Sequence, residues 1–316
     1  MIGFSKNDKY FSLTIFIMNK FYFLFLFLCL LVMQSLAAQR YLNLSVDNDL
    51  YFGKDRYYSS GVFISLGELK EGIGGNEATK KYVHWTLGQE IYTPTKRYTT
   101  DVDLFDYPYG GWLFLERTEE VQKNGNASWL WSIKAGMTGE ASLAPLFQNF
   151  YHDKILDLPH MAWEQAVPQR FHVNVNGGFK RRIHLFNKGA FLTNLFGNLG
   201  TQRSAVGVNF GLLLGSSKVI SYAGNPLEMQ EDGFGFYIGT RQEYRFHDFM
   251  ISGSLFDDTA PFVLPAIPYK NSLEIGLAFY GKKWRFQTLW NRVSKDNKAQ
   301  TPNGHYYLNI SIARFF

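Results

Sequence analysis

Residues 308–316 read Leu-Asn-Ile-Ser-Ile-Ala-Arg-Phe-Phe, alternating apolar and polar side chains and stopping on an aromatic. Period-two alternation gives a strand with one greasy and one polar face. It recurs along the chain. Val62, Ile64 and Leu66 share a face opposite Phe63, Ser65 and Gly67; Trp129, Trp131 and Ile133 oppose Leu130, Ser132 and Lys134. Phe171, Val173 and Val175 oppose His172, Asn174 and Asn176, and Val206, Phe210 and Leu212 oppose Gly207, Asn209 and Gly211. A soluble β-sandwich also alternates. The other end of the chain favours a barrel in a membrane.

Lys20 precedes thirteen apolar residues, Phe21 to Met33, and then Gln34-Ser-Leu-Ala-Ala-Gln39. A positive flank, a short apolar core and small residues before a cleavage point form a secretory signal. Thirteen residues are too few for a spanning helix. Residues 1–38 are therefore expected to be the signal and 39–316 the mature domain, with Met18 as a natural true start. Cys29, the only cysteine, lies inside the signal. A mature exported chain without cysteine has neither disulfide framework nor thiol nucleophile. Loss of residues 1–38 lowers the formal charge from +5 to about +3. That suits an anionic lipid surface, and no basic run points to nucleic acid.

An exported chain of alternating strands, rich in aromatics and glycine and ending on an aromatic strand, is expected to be an outer-membrane β-barrel. The predicted class is all-β, a 12-stranded antiparallel transmembrane barrel with a short helix in an extracellular loop. The C-terminal strand is the expected handle for the barrel-assembly machinery. Predicted strands fall near 41–49, 58–68, 82–93, 110–119, 128–138, 170–182, 189–199, 203–215, 234–257, 271–281, 283–294 and 305–316. The ninth is a merger of two candidates into one long, bent strand projecting beyond the membrane, because both termini in the periplasm require an even count. Gly281-Lys282 and Gly200 to Gln202 read as short periplasmic turns. Leu143 to Lys154 reads as the loop helix, preceded by Ser142, with Pro145 in its first turn.

Strand parity places three polar clusters at one rim: Ser45 to Asp49, Asp55 to Gly61, and Gln148 to Asp153. Asp and Asn oxygens beside a Ser hydroxyl are hard donors of the kind Ca²⁺ takes. A loop His can act as general base toward water, and a metal can polarise an ester carbonyl. Gln148 and His152, four residues apart on the predicted helix, share a face. Taken alone, each cluster reads first as a solvated turn or an exposed loop.

Taken in order, the motifs resemble the lipid A 3′-O-deacylase family of Gram-negative outer membranes. They are Leu42 to Asp49, Asp55-Arg-Tyr-Tyr-Ser-Ser-Gly61, Gly88-Gln-Glu-Ile-Tyr-Thr-Pro94, Tyr107-Pro-Tyr-Gly-Gly-Trp112, Gly136-Met-Thr-Gly139, Gln148-Asn-Phe-Tyr-His152 and Trp163. Beyond about residue 170 mainly the strand pattern matches. The resemblance implies a calcium-dependent esterase that removes the 3′-linked acyl chain from lipid A, its site facing the cell exterior between the barrel wall and a loop helix. It implies His152 as catalytic base, with Asn48, Asp49 and Ser59 as catalytic and metal-binding residues. Tyr58, Gln148 and the basic pair Lys96-Arg97 would serve substrate or oxyanion. Leu158 and His160 stand where an acidic residue and a tyrosine are sometimes found. Two other functions fit the same strands: a serine-type outer-membrane phospholipase using a Ser nucleophile, and a non-catalytic porin or structural barrel.

Overall fold

The computed structural model describes residues 39–70, 79–215, 225–228 and 232–316, so the expected signal at 1–38, with its start at Met18, lies outside the described residues. Twelve strands are present among them. They are β1 (Arg40–Asn48), β2 (Tyr57–Lys70), β3 (Thr79–Thr93), β4 (Gly110–Lys123), β5 (Ala127–Thr138) and β6 (Phe171–Phe186). The circuit continues through β7 (Gly189–Gly200), β8 (Arg203–Gly215), β9 (Gly233–Asp248), β10 (Tyr269–Tyr280), β11 (Trp284–Val293) and β12 (His305–Phe315). Each pairs antiparallel with its sequence neighbours, and β12 pairs with β1, from Tyr41 opposite Phe315 to Asn48 opposite Leu308. Closure leaves no unpaired edge, the condition for a sheet to stand in hydrocarbon. Among the described residues no helix is long and apolar enough to cross a membrane.

The period-two pattern sets the two faces. Val62, Ile64 and Leu66 point outward and are about two-fifths exposed, as are Trp131, Ile133 and Val173. The lumen side is polar and cross-linked. Asn309 donates to Asp47 at 2.6 Å, Ser311 to Asn43 at 2.7 Å, and Ser128 to Glu120 at 2.6 Å. Arg241 and Arg245 flank Glu243, and Arg245 continues to Asp248 at 2.8 Å and Asp296 at 3.1 Å. Arg241, Glu243 and Arg245 share one strand face and form a lumenal charge network.

Three expectations are corrected. The predicted strand 234–257 ends at Asp248, whose carboxylate caps a short helix, α2 (Phe249–Ser252), by accepting from the Met250 N–H at 3.2 Å. Instead of projecting, Phe249, Met250 and Ile251 turn into the barrel mouth and pack with Tyr57, Tyr92, Tyr107, Trp112 and Val167. The apolar run that looks like strand continuation is a stopper. Residues 200–202 follow an odd-numbered strand and lie at this same stoppered end, where Phe249 N–H bonds to Gln202 O at 2.8 Å, and not at the end of Gly281-Lys282. The loop helix, α1 (Ala144–Tyr151), is shorter than 143–154: Leu143, in left-handed conformation, precedes it, and His152–Leu156 forms one wider π-helical turn.

Candidate functional site

The tip of the β1–β2 hairpin brings two of the predicted residues face to face. Asp49 N–H donates to Ser59 O at 3.1 Å, and Asp49 Oδ2 accepts from the Arg56 N–H at 2.9 Å. Asn48 Oδ1 accepts from Leu50 N–H at 2.6 Å, closing the turn into a 3₁₀ segment that Gly53 ends with φ +65°. The register of β2 on β3 slips between Tyr58 and Ser60, so Ser59 is an extra residue in the strand. A bulge of this kind re-aims side chains at a barrel rim.

Its consequence is a division between neighbours. The Tyr58 hydroxyl donates to Asp47 Oδ2 at 2.6 Å on the lumen side. The Ser59 hydroxyl donates instead to Asp55 Oδ1 at 2.6 Å. The other oxygen of Asp55 lies 3.1 Å from His152 Nε2 and 3.5 Å from Arg97 Nε. Asp55, Ser59 and His152 are all buried. A single carboxylate thus joins residues from β2, the turn after α1, and the loop after β3.

Helix α1 reaches this point because it lies on the outward side of the wall. Gln89, outward-facing on β3, donates to Ser142 O at 2.6 Å. On the neighbouring strand Gly111, opposite Ile91, leaves room for the helix start: a Cβ there would come within 2.3 Å of both Ala144 Cβ and Ser142 Oγ. One helix length on, Gln148 and His152 are both buried against the wall, as their spacing requires. His152 Nδ1 faces the Pro159 carbonyl at 3.3 Å, and Leu158 N–H bonds to His152 O at 3.0 Å. The 158–160 segment, where the sequence departs from the family pattern, therefore holds the imidazole through its backbone.

Burial pushes the Asp49 carboxyl up to about 8; nearby Asp55 adds to the shift, while the Arg56 N–H bond and the Arg97 charge oppose it. Asp49 Oδ1 is buried with no hydrogen-bond partner, and so is Gln148 Oε1. Such oxygens are costly unless something binds them. Of the remaining predicted residues, Arg97 sits in the cluster, its backbone carbonyl taking hydrogen bonds from Tyr109 Oη and Ala162 N–H. Lys96 is exposed to solvent beside it.

The family model for outer membrane protein LpxR matches residues 24–316. The chain belongs to the LpxR family. The outer membrane is the setting of the barrel. The structure of LpxR from Salmonella typhimurium superposes with a TM-score of 0.69 at 17% identity, covering 87% of this chain and 100% of that one; at that identity it shows the fold. The β domain of the Bordetella autotransporter BrkA aligns with a TM-score of 0.46 and 10% identity over 88% of this chain and 98% of that one. A search of curated protein sequences gave no match.

In this LpxR-family barrel the residue that sequence reasoning passed over is Asp55. It stands in the polar run Asp55 to Gly61, and its i−4 spacing from Ser59 was the available signal. Its meeting with His152, nearly a hundred residues away, is a tertiary fact.

Proposed function

We propose that the protein is a calcium-dependent esterase that removes the 3′-linked acyl chain from lipid A, using water activated by His152. The observation that carries the reading is the Asp55 carboxylate held between Ser59 and His152 on the outer side of the wall of an LpxR-family barrel. The Nδ1 contact with the Pro159 carbonyl needs a proton on Nδ1, since a carbonyl only accepts. In the reacting tautomer that proton sits on Nε2, which lies 3.1 Å from Asp55 Oδ2, and Nδ1, freed from the carbonyl, takes a proton from water. The hydroxide oxygen attacks the ester carbonyl. The Nδ1 proton then passes to the sugar oxygen as the acyl C–O bond breaks, giving a carboxylic acid and a free 3′ hydroxyl. Between these transfers the imidazolium is stabilised by Asp55 at one nitrogen. Ser59, donating to Asp55, fixes the carboxylate rotamer.

The donor set fits Ca²⁺. Asp49 offers an unpartnered oxygen, and Asn48 and Ser59 retain lone pairs beyond their present bonds. Among the described residues no group of three or more His, Cys, Asp or Glu forms a metal cage, so Asn48, Ser59, backbone oxygens, water and substrate would complete the shell. Bound there, Ca²⁺ would place positive charge beside the developing oxyanion. Exposed Lys96 is left for a lipid A phosphate, and the site faces the cell exterior, where the acyl ester meets water.

Ser59 is a poor nucleophile here, because its hydroxyl donates to Asp55 and not to His152; this weighs against the serine phospholipase. The deciding experiment is mass spectrometry of lipid A from cells expressing the parent or His152→Ala. The parent should remove the 3′ chain, and the variant should be slower by roughly two to four orders of magnitude. A parent that never removes it would end the proposal.

A further inference from the structure

On the outward side of the wall, a cavity of about 630 Å³ lies between the start of α1 and the returning segment 163–169. Gly111, Leu143, Pro145, Leu146, Trp163 and Val167 line it. Its polar side-chain groups are Glu140, Gln169 and the Trp163 indole N–H; none of its lining residues is a cation. The volume suits a small-molecule site. The mostly apolar lining suits hydrocarbon, and the Glu140 carboxylate with no cation beside it disfavours a phosphate.

We propose that this cavity is the acyl-chain pocket of the enzyme, receiving the hydrocarbon of the chain whose ester is cut between Ser59, Asp55 and His152. The inference rests on the esterase reading and adds where the released chain lies. Three observations support it. First, the cavity and the cleavage point are opposite ends of one helix: Leu146 and Leu143 precede His152 by six and nine residues, or roughly 9–14 Å along the axis. An acyl chain with its carbonyl at His152 reaches the cavity by its middle methylenes. Second, the far wall is tied to the same centre. Trp163 stacks on Tyr109 at 5.2 Å between ring centres, and Tyr109 holds the backbone of Arg97, whose side chain approaches Asp55. Third, the mouth is continuous with the lipid-facing surface. Leu146 is 66% exposed at the rim, and Phe171, 63% exposed, follows the lining residue Gln169 by two positions on the outward face of β6. The backbone of the far wall is bent to shape: Trp163 and Gln165 both take φ +50°.

Full-length mature His152→Ala protein, which should hold lipid A uncut, can be photolysed with lipid A carrying a diazirine in the middle of its 3′ acyl chain. Cross-links should fall within 143–146 and 163–168. Cross-links confined to Phe147, Phe150 and Ile155, or to the outer wall of the barrel, would overturn the pocket. With His152 intact, Leu146→Trp should narrow the mouth and lower the rate on long-chain lipid A at least tenfold relative to a short-chain ester, with heat-modifiable migration showing that the barrel is folded. Equal losses on both substrates, or none, would also overturn it. If the parent cleaves neither substrate while cross-links map to the cavity, the esterase reading fails and the acyl pocket stands.

Discussion

His152 Nε2 lies 3.1 Å from Asp55 Oδ2, although the two residues come from separate loops on either side of the outward-facing cleft. At that distance the carboxylate offsets the charge that the ring acquires, which makes it a positioning group for the base. Asp55→Asn keeps the shape and removes the charge. It is expected to lower the acyl-release rate by roughly two to four orders of magnitude, as losing the base itself would. Release kinetics on purified lipid A measure it; a parental rate would remove Asp55 from the chemistry.

Ser59→Ala separates a positioning hydroxyl from a nucleophile. Losing one hydrogen bond to a charged group costs about 1.5–3 kcal/mol, so the rate should fall roughly ten- to hundredfold without vanishing. A fluorophosphonate probe should leave Ser59 unlabelled. Stoichiometric labelling at that residue would favour the serine phospholipase instead.

The Asp49 carboxyl gives a pH signature. Burial raises it to about 8 in the folded, metal-free protein, against about 4 for an unfolded Asp. Between those values the folded state binds more protons than the unfolded state, so stability falls as pH rises. The contribution is complete below about pH 4 and lost as pH passes about 8. Thermal unfolding in chelator should therefore weaken from pH 5 to 9 in the parent and stay flatter in Asp49→Asn. Adding Ca²⁺ at the upper end should rescue the parent and not the variant. Parallel curves with and without Ca²⁺ would take the metal away from Asp49.

The stopper of Phe249, Met250 and Ile251 closes the barrel mouth beside the site, and each is almost fully buried. Purified protein should migrate differently when cold and boiled, as closed barrels do, yet carry no steady current across a planar bilayer. Porin-like conductance would show that this end opens and would revive the non-catalytic reading.

The sequence by itself determined the barrel and its two faces. Strand alternation has a period of two, so every apolar position declares its side without reference to any other strand. The strand number needed a second rule, the even count that two periplasmic termini impose, and the run after Asp248 read as more strand because apolar residues bound for a stopper and for lipid are chemically alike. Parity likewise placed Asp49, Ser59 and His152 at one rim. What parity could not supply was radial position. The bulge at Ser59 turns it away from the side that holds Tyr58, and no local propensity announces a one-residue slip in register. The partnership of Asp55 with His152, and the cavity beneath Leu146, depend on α1 lying flat against the outward wall where Gly111 makes room. Those are distances between segments remote in sequence, and only the closed fold sets them.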